Sequence, residues 1–229
     1  MKICGFEKLS LVDFDNYTSC TLFTEGCNFR CPFCHNGPLV LYKNPEFSEE
    51  EIFDYLKKRK NLIDAVCVTG GEPTLHSDLP TLFSKIKALG YYTKLDTNGT
   101  NPEMLKKLVD EKLVDYVAMD IKCSLENYGK AIGIENFDTR KVEESIAFLK
   151  TNAIPYEFRT TLVKELISEK DVEKIAELIS GCPKYFLQKF TEAEGCIQKG
   201  FHEVEKEKAL EYVKILESRG INANLRGYD

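Results

Sequence analysis

Three cysteines lie close together near the start of the chain, in the stretch 26–36, "GCNFRCPFCHN". Their spacing is Cys-x3-Cys-x2-Cys, through Cys27, Cys31 and Cys34, in a loop that follows a predicted strand. Thiolates are soft ligands that favour iron–sulfur clusters, zinc or copper(I). A closed zinc site needs a fourth ligand, which the adjacent His35 could supply only with strain. A cubane held by three thiolates would instead leave one iron open to bind a substrate.

The overall composition favours a small-molecule or protein partner over a nucleic acid. The 229 residues carry 31 Lys and Arg against 37 Asp and Glu, a net charge of −6, which disfavours a nucleic-acid partner. No apolar run approaches the roughly 20 residues of a membrane span, and the first residues do not resemble a secretory signal. We therefore expect a cytoplasmic protein with no membrane partner, in which the nine cysteines meet a reducing environment.

Short apolar runs alternate with amphipathic stretches along most of the chain. The predicted strands are residues 20–24, 65–70, 91–97, 114–122, 154–163 and 185–190. The predicted helices are residues 48–61, 78–89, 102–113, 139–152, 168–179 and 203–218. This alternation predicts a parallel sheet, either open and doubly wound or a partial barrel. We predict a partial (β/α)6 TIM-like barrel in a single domain, residues 1–229 with a core at about 18–200, a short N-terminal extension and a C-terminal edge strand at 221–227.

Polar residues follow several predicted strands, at the sheet edge where α/β proteins bind ligands. They are Gly70, Gly71 and Glu72 in "GGEP", Asp96 and Thr97 in "LDTNGT", Asp120 and Lys122 in "MDIK", Arg159 in "EFRTT" and Gln188 in "LQKF". A glycine pair lets the backbone approach a ligand, although it also fits an ordinary turn. A carboxylate at a sheet mouth is costly to desolvate unless it is paired or used. The alternatives to ligand binding are an Asp N-cap or an internal Asp120–Lys122 pair.

The cysteine loop resembles the signature of the radical S-adenosylmethionine (SAM) enzymes, with the aromatic Phe33 just before the third cysteine. The resemblance extends over almost the whole chain. It implies that the three cysteines hold a [4Fe–4S] cluster and that the open iron chelates the amino and carboxylate groups of SAM. In that family an electron from the cluster cleaves the sulfonium bond and yields a 5′-deoxyadenosyl radical.

The resemblance also implies a SAM site at the strand ends. The family's GGE motif contacts the SAM amino group. The "DTNG" and "D-x-K" segments resemble those of the pyruvate formate-lyase activating enzyme, which places Asp120 and Lys122 at the ribose or methionine end and Asp96 on the cluster side. The expected SAM contacts are Phe33, His35, Gly70, Gly71, Glu72, Asp96, Thr97, Asp120, Lys122, Arg159 and Gln188.

The last strand departs from that enzyme, because it has Gln188 where a SAM-contacting histidine is expected. Its "LQ-x-F" ending resembles instead the activating proteins of anaerobic ribonucleoside-triphosphate reductase. The implied function is formation of a glycyl radical on that partner, with flavodoxin or ferredoxin as electron donor. The alternatives are another glycyl radical enzyme as partner, such as pyruvate formate-lyase, a small-molecule reaction like that of carboxy-deazaguanine synthases, or a non-catalytic zinc-binding module.

Five further cysteines lie in or near predicted strands. Cys20, Cys67 and Cys123 are predicted to be small core residues, because they fall in or beside apolar strands. Cys182 and Cys196 flank the last strand at a wide spacing. A second cluster held by these two is the less favoured interpretation.

Overall fold

One sheet of eight strands organises the fold, and the computed structural model describes residues 1–40 and 47–228 of it. The strands are β1 (Ile3–Ser10), β2 (Ser19–Thr24), β3 (Ala65–Gly70), β4 (Tyr92–Thr97), β5 (Tyr116–Asp120), β6 (Tyr156–Leu162), β7 (Tyr185–Lys189) and β8 (Ala223–Arg226). The strand order follows the chain, as in a barrel wall and unlike a doubly wound sheet. Among the described strands β8 does not pair with β1, so the predicted partial barrel is confirmed and is open.

All strand pairs from β2 onward are parallel, and α-helices cross between them. The helices in the described part of the chain are α1 (Gly37–Val40), α2 (Glu49–Arg59), α3 (Leu79–Ala88), α4 (Pro102–Asp110), α5 (Tyr128–Ile132), α6 (Arg140–Leu149), α7 (Glu169–Leu178) and α8 (Lys206–Ser218). A capping box begins α2: Ser48 Oγ accepts the Glu51 N–H at 3.2 Å, and Glu51 accepts the Ser48 N–H at 2.8 Å. None of the helices described is long and apolar enough to cross a membrane.

The N-terminal extension was predicted without structure, but it forms β1, which pairs antiparallel with β2. Its residues Glu7 to Leu9 are exposed and Gly5 interrupts the run, so the sequence lacks the alternation that identifies a strand. The short helices α1 and α5 were also missed, because four and five residues are too few to show helical periodicity. Residues 41–46 and 229, which the predicted domain includes, lie outside the described residues.

Candidate active site

The three cysteines lie in the loop that leaves the carboxyl end of β2 and leads into α1. Gly26 opens this loop in the left-handed backbone region, at φ 81°. Its N–H donates to the carbonyl oxygen of Leu39 at 2.9 Å, which fastens the start of the loop to α1. Cys31 is buried, whereas Cys27 and Cys34 are partly exposed, and all three line one cavity. The structure therefore brings the three cysteines of the predicted cluster site together at one cavity.

The turn after β3 packs directly against the start of the cysteine loop. Gly71 donates its N–H to the Thr24 carbonyl at 2.9 Å, and Glu72 donates to the Gly26 carbonyl at 2.7 Å. A Cβ at Gly71 would lie 1.8 Å from the Gly26 oxygen, and Gly70 has φ +115°. Neither position accepts a side chain without strain. The close backbone approach expected of this glycine pair is thus made to the cysteine loop, and both glycines also line the cavity.

Glu72 is buried, 1% exposed, and ties the turn after β3 to the end of β4. Its carboxylate accepts hydrogen bonds from the Thr74 N–H at 3.1 Å, the Thr97 hydroxyl at 2.7 Å and the Asn98 N–H at 2.6 Å. Burial raises the pKa of Glu72, and these hydrogen bonds oppose the rise. Both carboxylate oxygens already have protein donors, so Glu72 acts first as a support for the two loops that form the cavity wall.

Five charged side chains form a row across the barrel interior, which we call the charge ladder: Lys94, Asp96, Arg159, Asp120 and Lys122. Lys94 Nζ lies 3.0 Å from Asp96 Oδ1, and Arg159 Nη1 donates to Asp96 Oδ2 at 3.1 Å. Arg159 Nε donates to Asp120 Oδ1 at 2.9 Å, and Lys122 Nζ donates to Asp120 Oδ2 at 2.9 Å. Each aspartate therefore sits between two cations.

Both aspartates of the ladder are ionised. Burial alone would raise the pKa of Asp120, but Arg159 and Lys122 outweigh it and lower the pKa to about 2. Burial likewise opposes the charge of Asp96, and Arg159 and Lys94 hold its pKa below the usual value. At the cavity itself, Lys122 presents its ammonium group, which would stabilise an anionic group of a ligand.

Two adjoining cavities contain most of the residues predicted to contact SAM. The cavity at the cysteines has a volume of about 130 Å³, and the predicted residues in its wall are Gly70, Gly71, Glu72, Asp96, Thr97, Asp120 and Lys122. The second cavity, of about 260 Å³, shares Cys31, Cys34 and Lys122 with the first and adds Phe33, His35 and Gln188. Arg159 lines neither cavity and is 8% exposed, so the structure places it behind the two aspartates.

An aromatic wall borders the second cavity. The His35 ring stacks on Phe190 with centroids 5.4 Å apart and an interplanar angle of 28°. Phe33 meets the same ring edge-on, with centroids 6.2 Å apart. Phe190 directly follows β7, which carries Gln188. The second cavity therefore combines an aromatic surface with one amide side chain.

The three thiols fit a metal cluster. Burial raises the pKa of Cys27 to about 11 and that of Cys31 to about 12, so thiolates here require compensating positive charge. The iron ions of a cluster would supply it, and the Phe29 N–H lies 3.3 Å from Cys27 Sγ as a hydrogen-bond donor. In residues 1–40 and 47–228, no three His, Cys, Asp or Glu side chains are gathered around a single ion site. A cubane differs from such a site, because each thiolate binds a separate iron.

Two asparagines beside the cysteines were missed as site residues, although both stand inside motifs that the sequence analysis quoted. Asn98 Nδ2 lies 3.9 Å from Cys27 Sγ and donates to Asn28 Oδ1 at 2.9 Å. Asn36 Nδ2 donates to the Gly70 carbonyl at 3.2 Å and lines both cavities. Their position next to Cys34 and Thr97 in the sequence is the signal that could have identified them.

The remaining cysteines separate into two groups. Cys20, Cys67 and Cys123 are fully buried, as predicted for core residues. Cys196 packs against the cysteine loop, with its Sγ 3.8 Å from the Phe33 carbonyl oxygen. Cys182 is buried at the end of α7, where its N–H donates to the Ile179 carbonyl.

A third cavity, of about 440 Å³, lies at the opposite end of the barrel and is bordered by the segment 11–18. Three of its charged groups pair with one another: Arg226 lies 3.2 Å from Glu157 and 3.3 Å from Asp15. The Tyr116 hydroxyl also donates to Glu157 at 3.0 Å. These pairs leave Glu157 fully compensated inside the protein.

Comparisons with known proteins agree with this site. The family model described as "Radical SAM superfamily" matches residues 21–179. The "Putative glycyl-radical enzyme activating enzyme MJ1227" of Methanocaldococcus jannaschii is 35% identical over 195 residues, 82% of this chain and 79% of its own length. The pyruvate formate-lyase-activating enzyme of Listeria monocytogenes is 30% identical over 175 residues, 71% of this chain and 69% of its own length.

The fold also matches solved structures. A radical SAM methyltransferase from Sphaerobacter thermophilus superposes with a TM-score of 0.76 at 16% identity, covering 95% of this chain and 68% of that one. At this identity the match shows the fold alone. Proteins of the matched superfamily use a [4Fe–4S] cluster and SAM, which is the cofactor pair predicted from the cysteine loop.

Proposed function

Since this chain belongs to the radical SAM superfamily, we propose that it is an activating enzyme that generates a glycyl radical on a partner enzyme. The observation that carries the proposal is the meeting of three thiols with Asp96, Asp120 and Lys122 of the charge ladder in one cavity at the mouth of an unclosed barrel. A peptide loop of a partner can enter at such a mouth. The similarity to two activating enzymes, over 82% and 71% of the chain, supports the same reaction class.

The proposed cofactor site assigns separate tasks to the residues of the two cavities. Cys27, Cys31 and Cys34 hold the cluster. Asp120 and Lys122 face the cavity with opposite charges and bind the polar groups of SAM, and the aromatic wall at His35 receives its planar ring. When bound, the reduced cluster and SAM supply the radical that removes a hydrogen atom from a glycine Cα of the partner.

The remaining expected SAM contacts belong to the same proposal. Gly70, Gly71 and Thr97 present backbone and hydroxyl groups in the first cavity, and Phe33 and Gln188 border the second. Glu72 and Arg159 contribute by fixing the loops and the aspartates, because their polar atoms are already bound by neighbouring residues. Asp96 is the last of the proposed SAM contacts. It lines the first cavity and lies between Lys94 and Arg159 of the charge ladder.

We propose anaerobic ribonucleoside-triphosphate reductase as the partner, and flavodoxin or ferredoxin as the electron donor. The "LQ-x-F" segment at the end of β7 supports this partner over pyruvate formate-lyase. We propose a cytoplasmic location, where a reducing environment keeps the thiols of a cysteine-rich chain available to a cluster. The pairing of all eight strands in one sheet supports a single domain over residues 1–229.

The test is anaerobic incubation of the reconstituted protein with SAM, a reductant and the candidate reductase, followed by EPR spectroscopy of the reductase. We expect the doublet of a glycyl radical and one 5′-deoxyadenosine per radical formed. A reductase variant with the radical-bearing glycine replaced by alanine serves as control and should give no doublet.

Two other outcomes would redirect the assignment. A doublet on pyruvate formate-lyase alone would keep the activating reaction and change the partner. Release of 5′-deoxyadenosine that requires a pterin, with no radical on any protein, would favour the carboxy-deazaguanine synthase alternative. The zinc-binding alternative is set aside, because the superfamily uses an iron–sulfur cluster.

A further inference from the structure

Lys94 is a lysine in the interior of the barrel, and its side chain is 3% exposed. It lies on β4, two residues before Asp96, and lines the large cavity at the far end of the barrel. Burying an ammonium group is costly unless it is paired and hydrogen-bonded. Its Nζ is 3.0 Å from Asp96 Oδ1, donates to the Asp13 carbonyl at 2.5 Å, and sits 5.9 Å from the centre of the Phe14 ring.

Lys94 compensates the charge on one of the two carboxylate oxygens of Asp96. Oδ2 accepts a hydrogen bond from Arg159 at 3.1 Å. Oδ1 is buried and accepts no well-aligned hydrogen bond, so the ammonium at 3.0 Å supplies its compensating charge by proximity. Without Lys94 a buried carboxylate oxygen would have no partner, which favours protonation or rotation of the carboxyl group.

Asp96 lines the cavity of the cysteines, whereas Lys94 does not. We propose that Lys94 is a positioning residue for SAM binding, which keeps the Asp96 carboxylate ionised and fixed in orientation at the wall of that cavity. The proposal rests on the proposed function only in taking Asp96 as part of the SAM site. Lys94 acts through Asp96 and is held in turn by the segment 11–18, through the Asp13 carbonyl.

The surroundings of the pair predict how it responds to pH. The charged and titratable groups that face it are Asp13, Cys67, Asp120, Glu157 and Arg159. Once Lys94 is removed, burial and the nearby Asp120 both raise the pKa of Asp96, and Arg159 opposes them alone. The carboxyl group would then take up a proton as the pH falls, and the SAM site would lose a negative charge.

The experiment measures SAM affinity by anaerobic equilibrium binding to the reconstituted protein between pH 6 and 8.5. For Lys94→Met we expect unchanged iron and sulfide content, and a Kd for SAM raised about 10-fold at neutral pH. The Kd should rise further toward pH 6, whereas that of the wild type stays flat. Lys94→Arg keeps the charge and should restore the affinity to within about 3-fold, with a flat profile.

Lys87→Met is the matched control, because Lys87 also pairs with an aspartate, Asp115, but at the half-exposed outer face. It should leave the Kd and its pH profile unchanged. A Lys94→Met protein that binds SAM with wild-type affinity and a flat profile would overturn the proposal.

If Lys94→Met does not fold, the double variant Lys94→Met with Asp96→Asn takes its place in the experiment, because the double variant lacks the unpaired charge of Asp96. We expect this variant to fold, to hold its cluster and to bind SAM weakly at every pH. Wild-type affinity in the double variant would contradict the proposal. Since the readout is SAM binding, it is separate from the glycyl radical assay, and either proposal can fail without the other.

Discussion

The two ends of the barrel both carry buried charges, but they use them differently. At the carboxyl ends of the strands, the charge ladder finishes at Asp120 and Lys122, whose side chains are 27% and 17% exposed and line the cavity of the cysteines. At the opposite end, Arg226 is paired with Glu157 and with Asp15 of the segment 11–18. One end leaves charge available to a ligand, and the other compensates its charge internally.

The difference lies in what surrounds similar side chains. The cavity of the cysteines joins three thiols, three carboxylates and an ammonium group. The opposite cavity, at about 440 Å³, is larger than the cavity of the cysteines. Its Glu157, however, already accepts hydrogen bonds from Arg226 and from the Tyr116 hydroxyl. Cavity size therefore does not distinguish the two ends in favour of the cysteines, whereas the chemistry of the lining residues selects the carboxyl ends of the strands.

The largest expected effect is loss of the cluster. Replacing Cys27, Cys31 or Cys34 by alanine removes one thiolate ligand, and we expect each variant to lose the absorption near 400 nm and all SAM cleavage. Cys20→Ala is the matched control, since Cys20 is fully buried in the core, and it should retain the wild-type iron content. Full iron retention in the three loop variants would refute the ligand assignment.

The second-largest expected effect compares the loss of one carboxylate at each end of the barrel. Asp120→Asn removes the exposed carboxylate of the ladder, and we expect SAM affinity to fall about 10- to 100-fold with iron content unchanged. Glu157→Gln makes the same kind of change at the opposite end, where the side chain is 2% exposed. It should leave the Kd for SAM within about 2-fold of the wild type.

Equal effects of these two substitutions on SAM affinity would remove the distinction between the ends. The measurement is equilibrium SAM binding to both reconstituted variants under one set of conditions. Circular dichroism of each variant checks that a loss of affinity does not come from unfolding.

The third effect concerns the glycine pair that joins β3 to the cysteine loop. Gly71→Ala places a Cβ 1.8 Å from the Gly26 oxygen, so the two loops must separate. We expect the free energy of unfolding to fall by about 3 kcal/mol, with poorer cluster retention. In Gly181→Ala the added Cβ has no atom within 4 Å, and the only strain comes from the positive φ of residue 181. We therefore expect the free energy of unfolding to fall by about 1 kcal/mol.

Denaturant unfolding measures both glycine variants, and iron analysis follows the cluster. An equal loss of stability in the two variants would show that the close contact with the cysteine loop does not explain the glycine at position 71.

The smallest effect is the acid response of Asp120. Its pKa is about 2 in the folded protein, against an ordinary value of 3.8, so the carboxylate stabilises the fold above the unfolded pKa. This contribution, about 2 kcal/mol, is lost as the pH falls from about 4 to about 2. The free energy of unfolding should therefore fall more steeply over this range in the wild type than in Asp120→Asn, and parallel curves would contradict the assignment.

Much of the fold followed from the sequence because the parallel strands are apolar and short. β2 and β3 are almost entirely buried, and such runs are easily recognised between helices with clear caps such as Ser48. β1 was missed because its antiparallel position at the sheet edge exposes Glu7 to Leu9. A strand with one solvated side and an internal glycine has little sequence signal.

The candidate site was predictable where spacing alone places residues together. The cysteine loop and the carboxylates at the strand ends needed only the topology of a parallel sheet. The role of Lys94 was not predictable, because its meaning depends on the 3.0 Å contact with Asp96 across the barrel interior. The sequence equally could not show that Arg159 lies between two aspartates and away from both cavities.

The most direct test of the central claim is EPR spectroscopy of the reduced, reconstituted protein before and after addition of SAM. Three thiolates leave one iron without a protein ligand, so we predict a [4Fe–4S] signal whose g values shift when SAM binds. Asp120→Asn should show the same signal and need more SAM to shift it. A protein without iron, or a cluster signal that SAM does not change, would contradict the account.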